Sequence, residues 1–370
     1  MSNNALWINR GGYKQRSSNF EFYRILCMLM IVAHHYVVNS GLTSPDGPML
    51  ANSAAPNTLY LWLFGMWGKT GINCFLLITG YFMCKSEITL RKFFKLLLEI
   101  YFYKVVIFIA LLLAGYETAS LTRLVKLAMP VWGFNSNFTS CFIGFWLTIP
   151  FWNILVHNMT QKQHLTLVTL LVGLFSLLGS VPSFSVTFNY VTWFGVIYLI
   201  ASYIRLYPCS LFEKRKLWAI TLSVSVILAM LSVCALTYIG KGHYFFVSDS
   251  NKFLAVVIAV ASFMCIKNLN IPYNKTINLI GGSTFGVLLI HAQSDAMRHW
   301  LWQDAVNCVE HYSLPISQLI LFSTGAVFAV FFACIIIDRI RIKAFEEPFF
   351  RWYDRKPRLE RVMLWLSENK

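Results

Sequence analysis

Ten apolar stretches, most of them about as long as a helix needs to cross a bilayer, recur along the whole of this chain. They run at about 20–41, 58–82, 93–115, 140–157, 165–181, 189–207, 217–238, 253–269, 278–294 and 315–338. The fourth, fifth and ninth are short or carry Pro or Gly, so their ends are soft. Such a chain is expected to be all-α, a polytopic integral membrane protein with about ten transmembrane helices. Composition agrees. Of 370 residues, 57% are hydrophobic and 13% charged, against about 25% charged in a soluble domain. The apolar runs are not confined to one end, so this is one membrane unit and not a soluble enzyme with an anchor. No low-complexity tract or short-period repeat is visible.

Charge orients the chain. With the N-terminus in the cytoplasm, the cytoplasmic side holds 23 Lys and Arg and the outer loops hold 5. Arg24, Lys69 and Lys104 lie within spans and complete the 31. That asymmetry is the positive-inside pattern, and an even number of spans puts both termini in the cytoplasm. The net charge of +15 then follows from topology and requires no nucleic-acid partner. Three parts are expected: an N-terminal tail (1–19), a membrane domain (20–340) and a basic C-terminal tail (341–370) lying along anionic headgroups. The segment 119–133 reads as a re-entrant or interfacial helix. No small-residue cleavage site follows the first apolar run, which reads as an uncleaved first helix.

Nine cysteines include no Cys-x-x-Cys pair, so their spacing supports neither a zinc site nor a disulfide framework. Those within spans have small apolar packing as their default.

The first span carries the most informative pair. Arg24 and His35 are eleven residues apart. At 100° per residue they share one face to within about 20°, and the helical rise separates them by roughly 16 Å. His34 falls about 80° from Arg24 and is expected to look elsewhere, as a packing residue. An ionisable side chain at the centre of a span costs about 2.5 kcal/mol or more unless it has a partner or a task. A cation near the cytoplasmic surface and an imidazole near the midplane suit a long ligand with a charged head and a reactive tip. The plainer readings are an ion pair of Arg24 with Glu21 at i,i+3, and a His35 bonded to a neighbouring backbone carbonyl.

Three blocks of sequence extend the pattern. The first runs from Glu21 through Arg24 to His34-His35; the second is Gly71-Ile-Asn-Cys-Phe75-Leu-Leu-Ile-Thr79-Gly80-Tyr81-Phe82. The basic stretch Arg91-Lys92-Phe-Phe-Lys95 follows, and the third block is Ser283-Thr-Phe-Gly-Val-Leu-Leu-Ile290-His291. In this order they resemble the acyltransferase-3 family of membrane O-acyltransferases, which modify surface polysaccharides and related acceptors. Two departures stand out. Thr79 replaces a Ser of the family pattern, and Asn135-Ser-Asn-Phe-Thr-Ser-Cys-Phe stands where many members are rich in Tyr and Trp. No soluble hydrolase-like domain follows, so the expectation is the stand-alone form.

The resemblance implies an O-acyltransferase, most simply an O-acetyltransferase, of a bacterial cytoplasmic membrane. Acetyl-CoA or another acyl-CoA is the expected co-substrate, with no permanently bound cofactor and no metal. The expected acceptor is a hydroxyl of a cell-surface or lipid-linked glycan. His35 is then a general base or an acyl relay, which the sequence does not separate; Glu21 and Arg24 complete its motif. Arg24, Arg91, Lys92 and Lys95 are candidate contacts for the phosphates of the donor, though positive-inside topology also accounts for the last three. The 16 Å offset is comparable to the reach of a pantetheine arm. Lys69, close to the outer end of span two, and Asn73 are candidate acceptor or oxyanion contacts; Lys69 could instead snorkel. His291 is either a second polar group at the reaction centre or a structural hydrogen-bonder. Gly71 and Gly80 read as helix-approach positions. Arg205 reads as an interfacial anchor.

A rival class is a transporter or flippase of a glycan or lipid-linked sugar, since intramembrane charges and broken helices suit transport too. Against it stand the lack of an inverted repeat and the near absence of charge in spans three to eight. Acceptor identity, acyl group and oligomeric state stay open.

Overall fold

The computed structural model describes residues 17–129, 131–132, 138–184, 186, 189–241 and 243–355. Most of the expected N-terminal tail, the C-terminal residues beyond 355, and 133–137 of the departing loop lie outside them. Among the described residues every regular element is helical. In order these are α1 (Ser18–Val38), α2 (Pro48–Ala51), α3 (Pro56–Gly65), α4 (Gly68–Met83), α5 (Leu90–Leu113), α6 (Leu121–Ala128), α7 (Phe138–Asn158) and α8 (Gln161–Val172). They continue with α9 (Tyr190–Leu206), α10 (Arg215–Tyr238), α11 (Phe253–Lys267), α12 (Lys275–Gly281), α13 (Thr284–His291), α14 (Asp295–His299), α15 (Ile316–Arg341) and α16 (Glu347–Tyr353).

Seven of the expected spans are long and apolar enough to cross a membrane: α1, α3 with α4, α5, α7, α8 with its extension to Ser180, α10, and α15 continuing to Tyr353. α9 and α11 are apolar but only 17 and 15 residues long. The expected ninth span is two short helices, α12 and α13, broken at Gly282 and Ser283. The fourth span, one of three expected to be short or to carry Pro or Gly, is a 21-residue helix with Pro150 inside it.

Local chemistry sets the ends. The side chains of Thr89, Ser120, Asn274 and Ser294 each accept from the backbone N–H three residues on. Thr160 and Gln163 form a reciprocal capping box. The start of α4 lies hard against α1. A Cβ on Gly68 would lie 2.3 Å from His34 Cγ, so only glycine lets α4 start this close to α1.

α1 is the hub, packed against α3, α4, α11, α12, α13 and α15. α4 in turn packs on α9 and α11, and α10 on α11. The outward face of α10 exposes Ile220, Val224, Ile227 and Leu231, an apolar surface suited to lipid tails.

The boundary drawn at 340 falls inside a helix. α15 runs through 342–346 into α16, and a charge network explains why. Arg341 is 2.9 Å from Asp338, 2.8 Å from Glu346 and 3.4 Å from Glu99, all buried. Tyr103 donates to Asp338 at 2.7 Å, and Lys95 meets Glu346 at 2.7 Å. Buried charges persist only when paired and hydrogen-bonded, so this network clamps the start of the expected tail to α5. Residues 341–355 are docked to the bundle.

Candidate active site

A cavity of about 840 Å³ opens between α1, α4, α5, α6, α7, α13 and α14. The stripe read from the first span faces it. Met28, Ile31, His35 and Val38, spaced as one helical face, all border it. Arg24 lies one turn below Met28 on that stripe, outside the cavity lining, and pairs with Glu21 at 2.7 Å. Glu21 is buried against Gly281, where a Cβ would meet its side chain at 2.7 Å.

His35 occupies the last turn of α1, three residues from its end. It therefore sits toward the end of the helix opposite the N-terminus and not near its middle, because α1 stops at Val38. His34 also borders the cavity, contrary to the expectation that it looks elsewhere; an 80° offset keeps it at the edge of the same face. Its Nδ1 lies 2.7 Å from the Gly65 carbonyl, a helix-terminal acceptor that the α3–α4 break leaves without a helical partner.

His35 Nδ1 lies 2.8 Å from His291 Nε2. His291, the last residue of α13, is buried, and its Nδ1 lies 2.6 Å from the Val287 carbonyl. The carbonyl accepts only, so His291 Nδ1 carries the hydrogen and its Nε2 is an acceptor. His35 Nδ1 must then donate. This relay fixes the His35 tautomer and leaves its Nε2 with a lone pair. An imidazole held this way can take a proton, and the acceptor behind it stabilises the imidazolium that forms. Nucleophile–base–orienter sites use the same logic.

Lys69 is deeper than expected. It lies in the first turn of α4, thirteen residues on from Pro56 within the 56–83 span, because the helix breaks just before it. It borders the cavity, donates to Tyr190 Oη at 2.8 Å and is 3.9 Å from Asp249. Asn73 is fully buried and does not border the cavity. Its amide donates to the Ser250 carbonyl at 2.7 Å and accepts from Trp193 Nε1 at 2.9 Å. That geometry ties α4 to α9 and to the segment preceding α11.

Arg91, Lys92 and Lys95 lie away from this cavity. Arg91 forks onto Asp354 at 3.1 and 3.3 Å and covers the Phe350 ring; Lys95 pairs with Glu346. Lys92 donates to Ser86 Oγ and the Glu87 carbonyl. Arg91 and Lys95 line a smaller pocket of about 330 Å³ against α16. Arg205 reaches Tyr81 Oη at 3.0 Å.

Several cavity residues escaped the sequence reading: Arg298 and Asp295 of α14, Tyr190, Glu117, and Arg123 and Lys126 of α6. The segment 119–133 holds α6, as an amphipathic helix. Leu121, Leu124 and Val125 are exposed while Arg123 and Lys126 border the cavity. Lys104, an intramembrane cation of α5, donates to the carbonyls of Lys126 and Met129 at 2.6 and 2.5 Å, and Tyr101 to that of Ala128 at 2.8 Å. Lys104 thus caps the negative end of α6. For Arg123, Lys126 and Arg298 the signal available was a basic charge in a segment assigned to the outer loops by the charge count.

The fold and site define a multi-pass helical membrane protein with a paired-histidine centre at the wall of a large internal cavity. The sequence matches the acyltransferase-3 family, described as an acyltransferase domain, over residues 18–339, and the chain belongs to that family. It is thereby a membrane acyltransferase by family. No curated protein matched the chain, and no solved structure did.

Proposed function

We propose that this protein is an O-acyltransferase, most simply an O-acetyltransferase, moving the acyl group of cytoplasmic acyl-CoA to a hydroxyl of a cell-surface or lipid-linked glycan. The chain crosses a bacterial plasma membrane about ten times, with both termini in the cytoplasm. α9, α11 and the α12–α13 pair make the three crossings that are short or broken.

The observation that carries the reading is the Val287–His291–His35 relay at the cavity wall. His35 Nε2 takes the proton of the acceptor hydroxyl as its oxygen attacks the thioester carbonyl. The C–S bond breaks, and the imidazolium returns the proton to the departing thiolate, so the transfer consumes no net proton.

Arg24 is the donor-side cation, at the foot of the Met28–Ile31–His35 stripe, with the pantetheine arm threading between. Each of these cations already has a carboxylate, Glu21 at Arg24, Asp354 at Arg91 and Glu346 at Lys95; Arg24 is preferred as the contact because it shares the helical stripe of His35. Family membership favours transfer over the transport reading.

The test follows label from radiolabelled acetyl-CoA into membranes of the source cell, using purified wild type and His35→Ala. Label in a glycan or lipid fraction with wild type only is the expected result. Full transfer by a folded His35→Ala protein overturns the assignment.

A further inference from the structure

Positive-inside topology accounts for most of the basic residues and leaves eight Lys and Arg to the outer loops and span interiors. Five of those eight border the one cavity that His35 borders: Lys69, Lys104, Arg123, Lys126 and Arg298. The described lining holds two carboxylates, Glu117 and Asp295. Lys104 is spoken for by the carbonyls of α6, and Arg123 meets Glu117 at 3.5 Å. Arg298 pairs with Asp295, whose carboxylate is 97% exposed and so well screened, and Lys69 has Asp249 only at 3.9 Å. Lys69, Arg298 and His35 all border this cavity. A cavity that gathers cations from α4, α5, α6 and α14 carries a repulsion that a neutral occupant leaves in place and an anion reduces.

We propose that the outer part of this cavity is an acceptor subsite for an anionic glycan, its carboxylate or phosphate held by Lys69 and Arg298 beside the hydroxyl that His35 deprotonates. Arg123 and Lys126 extend the positive wall along α6. This deepens the acyltransferase reading and rests on it for the word acceptor. The binding itself does not need transfer to be observed.

The experiment is thermal stabilisation of the purified full-length protein in detergent. The probes are three anionic oligosaccharides (tetragalacturonate, sialyllactose, maltose phosphate), each beside its neutral counterpart, with acetyl-CoA as a separate arm. We expect at least one anionic probe to raise the melting temperature where its neutral counterpart does not, and to bind about tenfold more weakly when salt rises from 50 to 300 mM. Lys69→Gln with Arg298→Gln should abolish that shift, and Arg298→Lys, which keeps the charge, should retain most of it; size-exclusion profiles report on folding. The proposal is overturned if no anionic probe acts, if neutral probes act equally, or if Arg298→Lys behaves as Arg298→Gln does. It is also overturned if glycerol phosphate and phosphatidylglycerol reproduce the shift and erase that of the glycan, which would make the site a lipid-headgroup site. Stabilisation by acetyl-CoA without any by anionic glycans sinks the subsite alone. The opposite pattern sinks the donor reading and leaves the subsite.

Discussion

His35 and His291 stand 256 positions apart in the chain and are joined Nδ1 to Nε2 at 2.8 Å. Because Val287 fixes the hydrogen on the far nitrogen of His291, the whole relay has one direction, and it ends in a bare nitrogen on His35. A buried polar group whose every bond is determined is the usual means of holding a base in one tautomer.

His291→Ala should therefore cost about 100-fold in kcat while changing KM for acyl-CoA little, since His291 acts through His35 and does not border the cavity. His291→Gln, which can still present an acceptor, should recover part of the loss. Steady-state kinetics with both variants check this; equal kcat in wild type and His291→Ala would remove His291 from the mechanism.

The neighbouring histidines should separate. His35→Ala should abolish transfer. His34→Ala gives up a hydrogen bond to Gly65 and packing on α4, so it should lower the melting temperature while retaining at least about a tenth of the activity, the lost bond being worth roughly 1 kcal/mol. Gly68→Ala should be worse for stability, by about 1–3 kcal/mol, because its Cβ would drive into the His34 ring. The opposite ranking of the two histidine variants would mean that the wrong imidazole has been placed in the mechanism.

Donor binding should distinguish Arg24 from Arg91. Arg24→Gln should raise KM for acyl-CoA about tenfold or more, the scale of a lost charge-assisted hydrogen bond. Arg91→Gln, which breaks an exposed pair with Asp354, should change it less than about threefold. A large effect at Arg91 with none at Arg24 would move the phosphates to the α16 side.

Arg341→Met should be severely destabilising, by about 3–5 kcal/mol, because it strands Asp338, Glu99 and Glu346 around one site with Lys95 alone among them. Thermal unfolding in detergent reads this directly. A melting temperature equal to that of wild type would show that the network does not clamp α15 to α5.

What the sequence determined by itself is what short-range periodicity and sidedness encode. Apolar runs gave the helices, a 23-to-5 asymmetry of Lys and Arg supplied the orientation now proposed, and a period of 3.6 put Arg24 and His35 on one stripe, of which His35 borders the cavity and Arg24 does not. These depend on neighbours along the chain or on the membrane as solvent, so they are legible without partners.

Only tertiary structure decided the rest. The orientation of His291, left even by its own sequence context, is settled by Val287 on one side and His35 on the other. Lys69 follows directly on Gly68, whose close approach to His34 brings the start of α4 against α1. Arg91 and Lys95 read as free cations until α16 brings Asp354 and Glu346 against them. The cavity collects its charges from helices far apart in the chain. Each of these is a contact between residues that sequence separation hides, selected by the cost of leaving a polar group unpaired in an apolar medium.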